Sequence, residues 1–187
     1  MDEVRTVVSR DGTTIAYGRY GAGDGPAMVL VSGAPGAGAG EAPLARLLAR
    51  EFPVLVYDRR GCGRASEREL EDLAAVLAAA GPGAAVHGSG AGGALALAAA
   101  AAGLPVAAVS VFEPAPDALG ELPQVHARVL VVDGGASPAP VRRAARQLSA
   151  LLPRARHRTL TGQTHEVAPH VLAPVLAEFV AESSEDV

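Results

Sequence analysis

With 187 residues, 49% of them hydrophobic and 19% charged, the chain is long enough for one well-buried core, too short for two comfortable domains and too apolar to be disordered. A net charge of −4 with no concentrated basic face speaks against nucleic acid as a partner. The single cysteine, Cys62, allows no internal disulfide and supplies no metal-ligand set. The polar, acidic start MDEVRTVVSRDG does not read as a secretory signal, and the longest apolar run, Gly92 to Leu104, is too short for a bilayer. The expectation is a cytoplasmic protein of one domain, 1–182, followed by a frayed acidic tail, 183–187. No metal or cofactor is expected.

In chain order, Val4–Ser9 and Thr13–Tyr20 are β-rich runs joined by the turn signal Arg10-Asp11-Gly12, and they read as a hairpin. Ala27–Val31 is a buried strand that runs into the glycine-rich turn SGAPGAGAG. Glu41–Glu51 carries leucines at helical spacing, and Pro53–Tyr57 is a second buried strand ending in Asp58-Arg59-Arg60-Gly61-Cys62-Gly63. Ser66 with Glu69 three residues on forms a capping box for a helix through Ala80. Gly83–His87 reads as a strand, Ala91–Ala102 as an apolar helix and Pro105–Phe112 as a strand, followed by a loop over Glu113–Ala127. Arg128–Val132 is a strand, Ala139–Leu152 a helix, Arg156–Leu160 a strand and His170–Ala181 an amphipathic helix. After the hairpin, strands alternate with helices. That order predicts an α/β fold, a mostly parallel eight-stranded sheet with helices on both faces and chemistry at the carboxyl ends of the strands.

Six motifs in this order, the hairpin, VLVSGAPG, VYDRRGCG, VHGSGAGGALAL, VLVVDGG and GQTHE, make the chain resemble the α/β-hydrolase superfamily along nearly its whole length. The central motif there is the nucleophile elbow, G-x-S-x-G, a strand-to-helix turn whose outer glycines admit close backbone approach. Gly88, Gly92 and Gly93 match the outer positions, but the nucleophile position holds Gly90. Glycine suits the positive φ of that turn; the hydroxyl needed for an acyl-enzyme is missing. Centring the turn on Ser89 instead would place His87 and Ala91 where glycine is needed, so Ser89 reads as a flanking polar residue.

The resemblance implies that His165, between the last strand and the last helix, is the catalytic histidine. Its carboxylate partner has two candidates, because the common acid position is occupied by Ser137. Glu113, at the end of the preceding strand, is favoured over Asp133, which lies early in its segment. The oxyanion hole of the family maps onto the backbone N–H groups of Ala34 and Ala91. Ser32 offers a hydroxyl beside that loop, with a turn role as the plainer reading. His87 either faces the site or packs in the core, and His126, His157 and His170 read as surface residues. Asp58–Gly63 reads as a structural turn and Cys62 as a bystander. The segment between Glu113 and the VLVV strand is too short for a lid domain, so an open site is expected, with a further subunit as one means of covering it.

The leading functional expectation is a histidine-based enzyme that acts without a covalent intermediate on a small hydrophobic carbonyl compound. Elimination, cyclisation, decarboxylation and hydrolysis through activated water all fit. The alternative is a non-catalytic ligand-binding or scaffold protein on the same frame. A dinucleotide-binding oxidoreductase is a third reading. The glycine spacing is not G-x-G-x-x-G, two strands precede its first strand, and no lysine exists for a Tyr-x-x-x-Lys dyad.

Overall fold

A computed structural model describes residues 3–23, 25–34, 38–60, 65–114 and 125–184. Strand β1 (Glu3–Val8) turns back onto β2 (Thr14–Tyr20), with the Gly12 N–H donating to the Ser9 carbonyl at 2.9 Å to close the turn. The remaining strands are β3 (Met28–Val31), β4 (Val54–Tyr57), β5 (Ala85–Ser89), β6 (Ala108–Phe112), β7 (Arg128–Gly134) and β8 (Ala155–Leu160). They form one eight-stranded sheet in the order β1-β2-β4-β3-β5-β6-β7-β8, in which β1–β2 and β2–β4 are antiparallel and every other pair is parallel. The predicted α/β architecture is the one observed.

The five helices are α1 (Ala42–Leu48), α2 (Glu67–Ala80), α3 (Ala91–Ala101), α4 (Ala139–Leu151) and α5 (Pro169–Ser184). Leucines and alanines of α2, α3 and α4 pack with Val29, Val86, Val109 and Val131 on one face of the sheet. On the other face α1 and α5 cover Leu30, Val56, Phe112 and Val132. With both faces covered, the central strands are near-continuous apolar runs, as parallel sheets require. Each fully buried Leu or Val side chain contributes about 1.5–3 kcal/mol by leaving water.

Some boundaries differ from expectation. A 3-10 turn over Gly38–Glu41 precedes α1, which is shorter than the leucine spacing implied. Strand β5 lies two residues later than Gly83–His87, and β6 begins at Ala108 rather than Pro105. Strand β7 continues through Asp133 and Gly134, two residues beyond the expected end. Helix α5 runs through Ser184, into the stretch expected to fray, and 185–187 lie outside the described residues. The sheet order reverses at β3, which has β4 on one side and β5 on the other. Such a switch point opens a crevice at the carboxyl ends of the strands, where the loop after β3 and the turn after β5 come together.

Candidate functional site

The turn from β5 into α3 is built by close backbone contact. A Cβ on Gly88 would overlap the backbone of Gly92, and one on Gly92 would overlap the Val31 carbonyl. Only glycine fits at either place, so the chain must turn between them. Gly90 stands at the bend with φ 53° and ψ −120°, and its N–H donates to the Phe112 carbonyl at 3.0 Å. Among the described residues beyond its own turn and helix, a Cβ on Gly90 would meet one atom within 4 Å, Cε1 of His165 at 3.9 Å. Ser89 is the last residue of β5, in register with Phe112, so the turn is centred on Gly90 and not on Ser89.

His165 lies in the loop between β8 and α5, and its Nδ1 is 2.9 Å from Oε2 of Glu113. A carboxylate only accepts, so Nδ1 donates to it, and in the neutral ring Nε2 keeps its lone pair. The other oxygen, Oε1, accepts from the Gly134 N–H at 2.9 Å. The Glu113 side chain is 2% exposed and that of His165 68%, so the carboxylate is sheltered while the ring faces solvent. Glu113 has φ 44°, the one positive value at a non-glycine among the described residues. Its own N–H donates to the Val132 carbonyl at 3.0 Å. A strained backbone held by packing and hydrogen bonds is a feature that gathers at functional sites.

The loop after β3 is pinned at the same end of the sheet. The Ser32 hydroxyl donates to the Ala34 carbonyl at 2.8 Å, a turn role that leaves it bound to backbone. Ala91 heads α3, so its N–H is among the four first donors that have no acceptor within a helix. Beneath the loop, the buried Arg59 guanidinium donates to the Ser32 carbonyl at 3.3 Å and to Glu69 Oε1 at 2.6 Å. Sequence reasoning missed this link. Its signal was present in Asp58-Arg59-Arg60, since each member ties a loop: Asp58 accepts from the Gly38 N–H, and Arg60 pairs with Asp72 and Asp11.

Asp133 stands apart from His165. It lies within β7, where side chains alternate between faces, and its carboxylate is fully buried 3.2 Å from Nε2 of His157. His157, read as a surface residue, is therefore a partly buried partner of Asp133. His87 lies inside β5 and is buried, with Nδ1 3.0 Å from the Ser110 hydroxyl and with Nε2 unpartnered among the described residues. Burial without a charged partner pushes its pKa down to about 4. His126 and His170 are exposed. Ser137 is buried near Gly134. Cys62, Gly61 and Gly63 lie outside the described residues, as do 35–37 and the loop 115–124. Among the described residues no cluster of His, Cys, Asp and Glu is suited to a metal ion, and no helix is long and apolar enough to cross a membrane.

A model of the alpha/beta hydrolase family matches residues 28–185. An alpha/beta hydrolase from Sphaerobacter thermophilus shares 36% identity at a TM-score of 0.84, over 94% of this chain and 99% of that one. A thermophilic esterase from Thermogutta terrifontis is 15% identical with a TM-score of 0.79, over 97% of this chain and 99% of its own. An esterase from Rhodococcus sp. is 19% identical with a TM-score of 0.79, over 95% and 98%. At such identities the two esterases share the fold alone. None of the curated protein sequences matches the chain.

Proposed function

Because the chain belongs to the alpha/beta hydrolase family, we propose that it is an enzyme of that fold working without a serine nucleophile on a small hydrophobic carbonyl compound. His165 is the general base, and Glu113 positions it and supports its positive charge. The N–H groups of Ala34 and Ala91 receive charge developing on the carbonyl oxygen. One observation supports this above the others: His165 is bonded to a buried carboxylate and, among the described residues beyond the turn and its helix, comes within 3.9 Å of where a Gly90 side chain would stand. With Gly90 there is no hydroxyl to acylate, so the chemistry is proton transfer. Nε2 takes a proton from water or from the substrate and returns it to the leaving group or product. The exposed ring suits a site without a lid.

The missing hydroxyl equally favours a second reading, a ligand-binding protein on a hydrolase frame. To separate the two, hydrophobic acids, esters and lactones that raise the thermal midpoint are incubated with the protein and followed by mass spectrometry. The enzyme reading expects conversion that drops about 10²–10⁴-fold in His165→Ala, with binding changed only a few-fold. Glu113→Gln should give a smaller loss, because the base remains and only its orientation and charge support suffer. A ligand that stabilises the protein and is always recovered unchanged decides for binding.

A further inference from the structure

His165 is carried by an exposed stretch, since Thr164, His165 and Glu166 all face solvent. Packing therefore does little to hold the ring, and its place depends on how the loop is tied. Gln163 ties it twice. Its carbonyl accepts from the Ala136 N–H at 2.9 Å, and its side-chain Oε1 accepts from the Ala168 N–H at 2.9 Å. Ala168 stands just before α5, and its carbonyl takes the first bonds of the helix, from the N–H groups of Val171 and Leu172. The second tie thus closes residues 163–168 into a ring fastened to the head of α5. Among the described residues, one further hydrogen bond holds what lies between, that from His165 to Glu113. The first tie lands beside the acid. A Cβ on Gly134 would overlap the Gln163 carbonyl, and the Gly134 N–H is the donor to Glu113 Oε1. Base loop and carboxylate therefore share one anchor, residues 134–136 at the end of β7.

From these contacts we infer that Gln163 is a positioning residue, whose side-chain amide clasps the loop so that His165 stays on Glu113. The inference rests on His165 being the base, as proposed above. An imidazole on an open loop turns freely and meets water at either nitrogen. Ordering it on the carboxylate then costs the entropy of both the loop and the side chain. The clasp removes most of that cost beforehand, because a stretch closed by a bond has fewer arrangements than an open one. Rate is sensitive to this, since a base displaced by about 1 Å loses much of its effect. The working atom of Gln163 is its acceptor oxygen. A glutamate in its place keeps an acceptor, and its charge stands at the start of a helix, where negative charge is favoured. A methionine keeps the length and loses the acceptor. The two substitutions therefore separate the hydrogen bond from the shape of the side chain.

The test reads the proton on His165 directly. Two-bond proton–nitrogen spectra of the isotope-labelled protein at about pH 9, above the ordinary histidine range, show which ring nitrogen carries it. The His165 signals are those absent from His165→Ala. The wild type should show the Nδ1–H form, because Glu113 accepts there. In Gln163→Met the ring should leave the carboxylate, and its signals should move most of the way to the Nε2–H form that free histidine prefers. Gln163→Glu should restore the wild-type pattern. Where Gln163→Met folds poorly by circular dichroism, Gln163→Asn, a methylene too short to reach Ala168, gives the same reading. For a compound the protein converts, kcat should fall on the order of tenfold in Gln163→Met and recover in Gln163→Glu, with KM changed little. An Nδ1–H form that persists in Gln163→Met, or that is lost equally in Gln163→Glu, overturns the clasp and leaves the base reading standing. A wild type in the Nε2–H form overturns the clasp as well, since His165 would then not be held on Glu113. Conversion that is undiminished in His165→Ala overturns the base reading instead, and the tautomer signals still decide the clasp.

Discussion

A side chain at φ 53° is strained by about 1–3 kcal/mol, and at Gly90 that cost would be repaid in chemistry. Gly90→Ser should lower stability to urea by about this amount and acquire stoichiometric labelling by a fluorophosphonate, seen as an intact-mass shift. The wild type should show no adduct, on Ser89 or elsewhere. A folded but unlabelled Gly90→Ser would mean that His165 or the N–H pair is wrongly placed. The register of this turn was legible because glycine leaves a trace wherever two backbones must touch, as at Gly88 and Gly92. The carboxylate was harder. Glu113 and Asp133 both follow a strand in sequence, and nothing in composition separates them. Alternation along β7 does: the strand runs two residues further than expected, Asp133 turns to His157, and the next residue, Gly134, gives its N–H to Glu113. The strain at Glu113 has no sequence signature, since no glycine marks it.

At the scale of elements, α2 was readable from four residues. Ser66 accepts from the Glu69 N–H at 3.3 Å and Glu69 Oε2 reaches the Ser66 N–H at 3.2 Å, a closed capping box. Glu69 has a second duty that the motif does not show, a buried ion pair with Arg59. The two duties separate by magnitude. Ser66→Ala should cost about 1 kcal/mol, the usual worth of a cap. Glu69→Ala should cost about 3–5 kcal/mol, because it also leaves the Arg59 guanidinium buried without its partner. Urea unfolding of both variants checks this, and equal losses would show that the ion pair adds nothing. Strand boundaries were less legible than caps. Strand β5 extends through Gly88 and Ser89 because β6 continues to pair with it there, a long-range cause that local propensity does not carry.

For the whole molecule, the informative group is one the site does not use. His87 lies in the middle of the sheet, in register with Leu30 and Ser110, under the layer formed by α1 and α5. Its pKa is pushed down to about 4 because burial disfavours the charged ring, against an ordinary 6.5 in the unfolded chain. A base with a lowered folded pKa contributes stability that is complete above the unfolded value. As pH falls below about 6.5 the unfolded chain takes a proton that the folded chain refuses, and the loss ends near the folded value of about 4. At about 1.4 kcal/mol per pKa unit, the window removes roughly 3 kcal/mol. Other groups act there or just below. Glu41, raised by burial, works in the opposite sense, and Asp11, lowered by its bonds to Arg60 and Thr13, matters only at more acidic pH. The effect of His87 is therefore isolated as a difference. His87→Leu combined with Ser110→Ala removes the ring and its hydroxyl partner together, so no buried donor is orphaned. Between pH 6.5 and 4, urea unfolding should show the wild type losing roughly 3 kcal/mol more than this double variant. Parallel stability curves across that window would mean that His87 is already protonated in the folded sheet, with a partner for its second nitrogen.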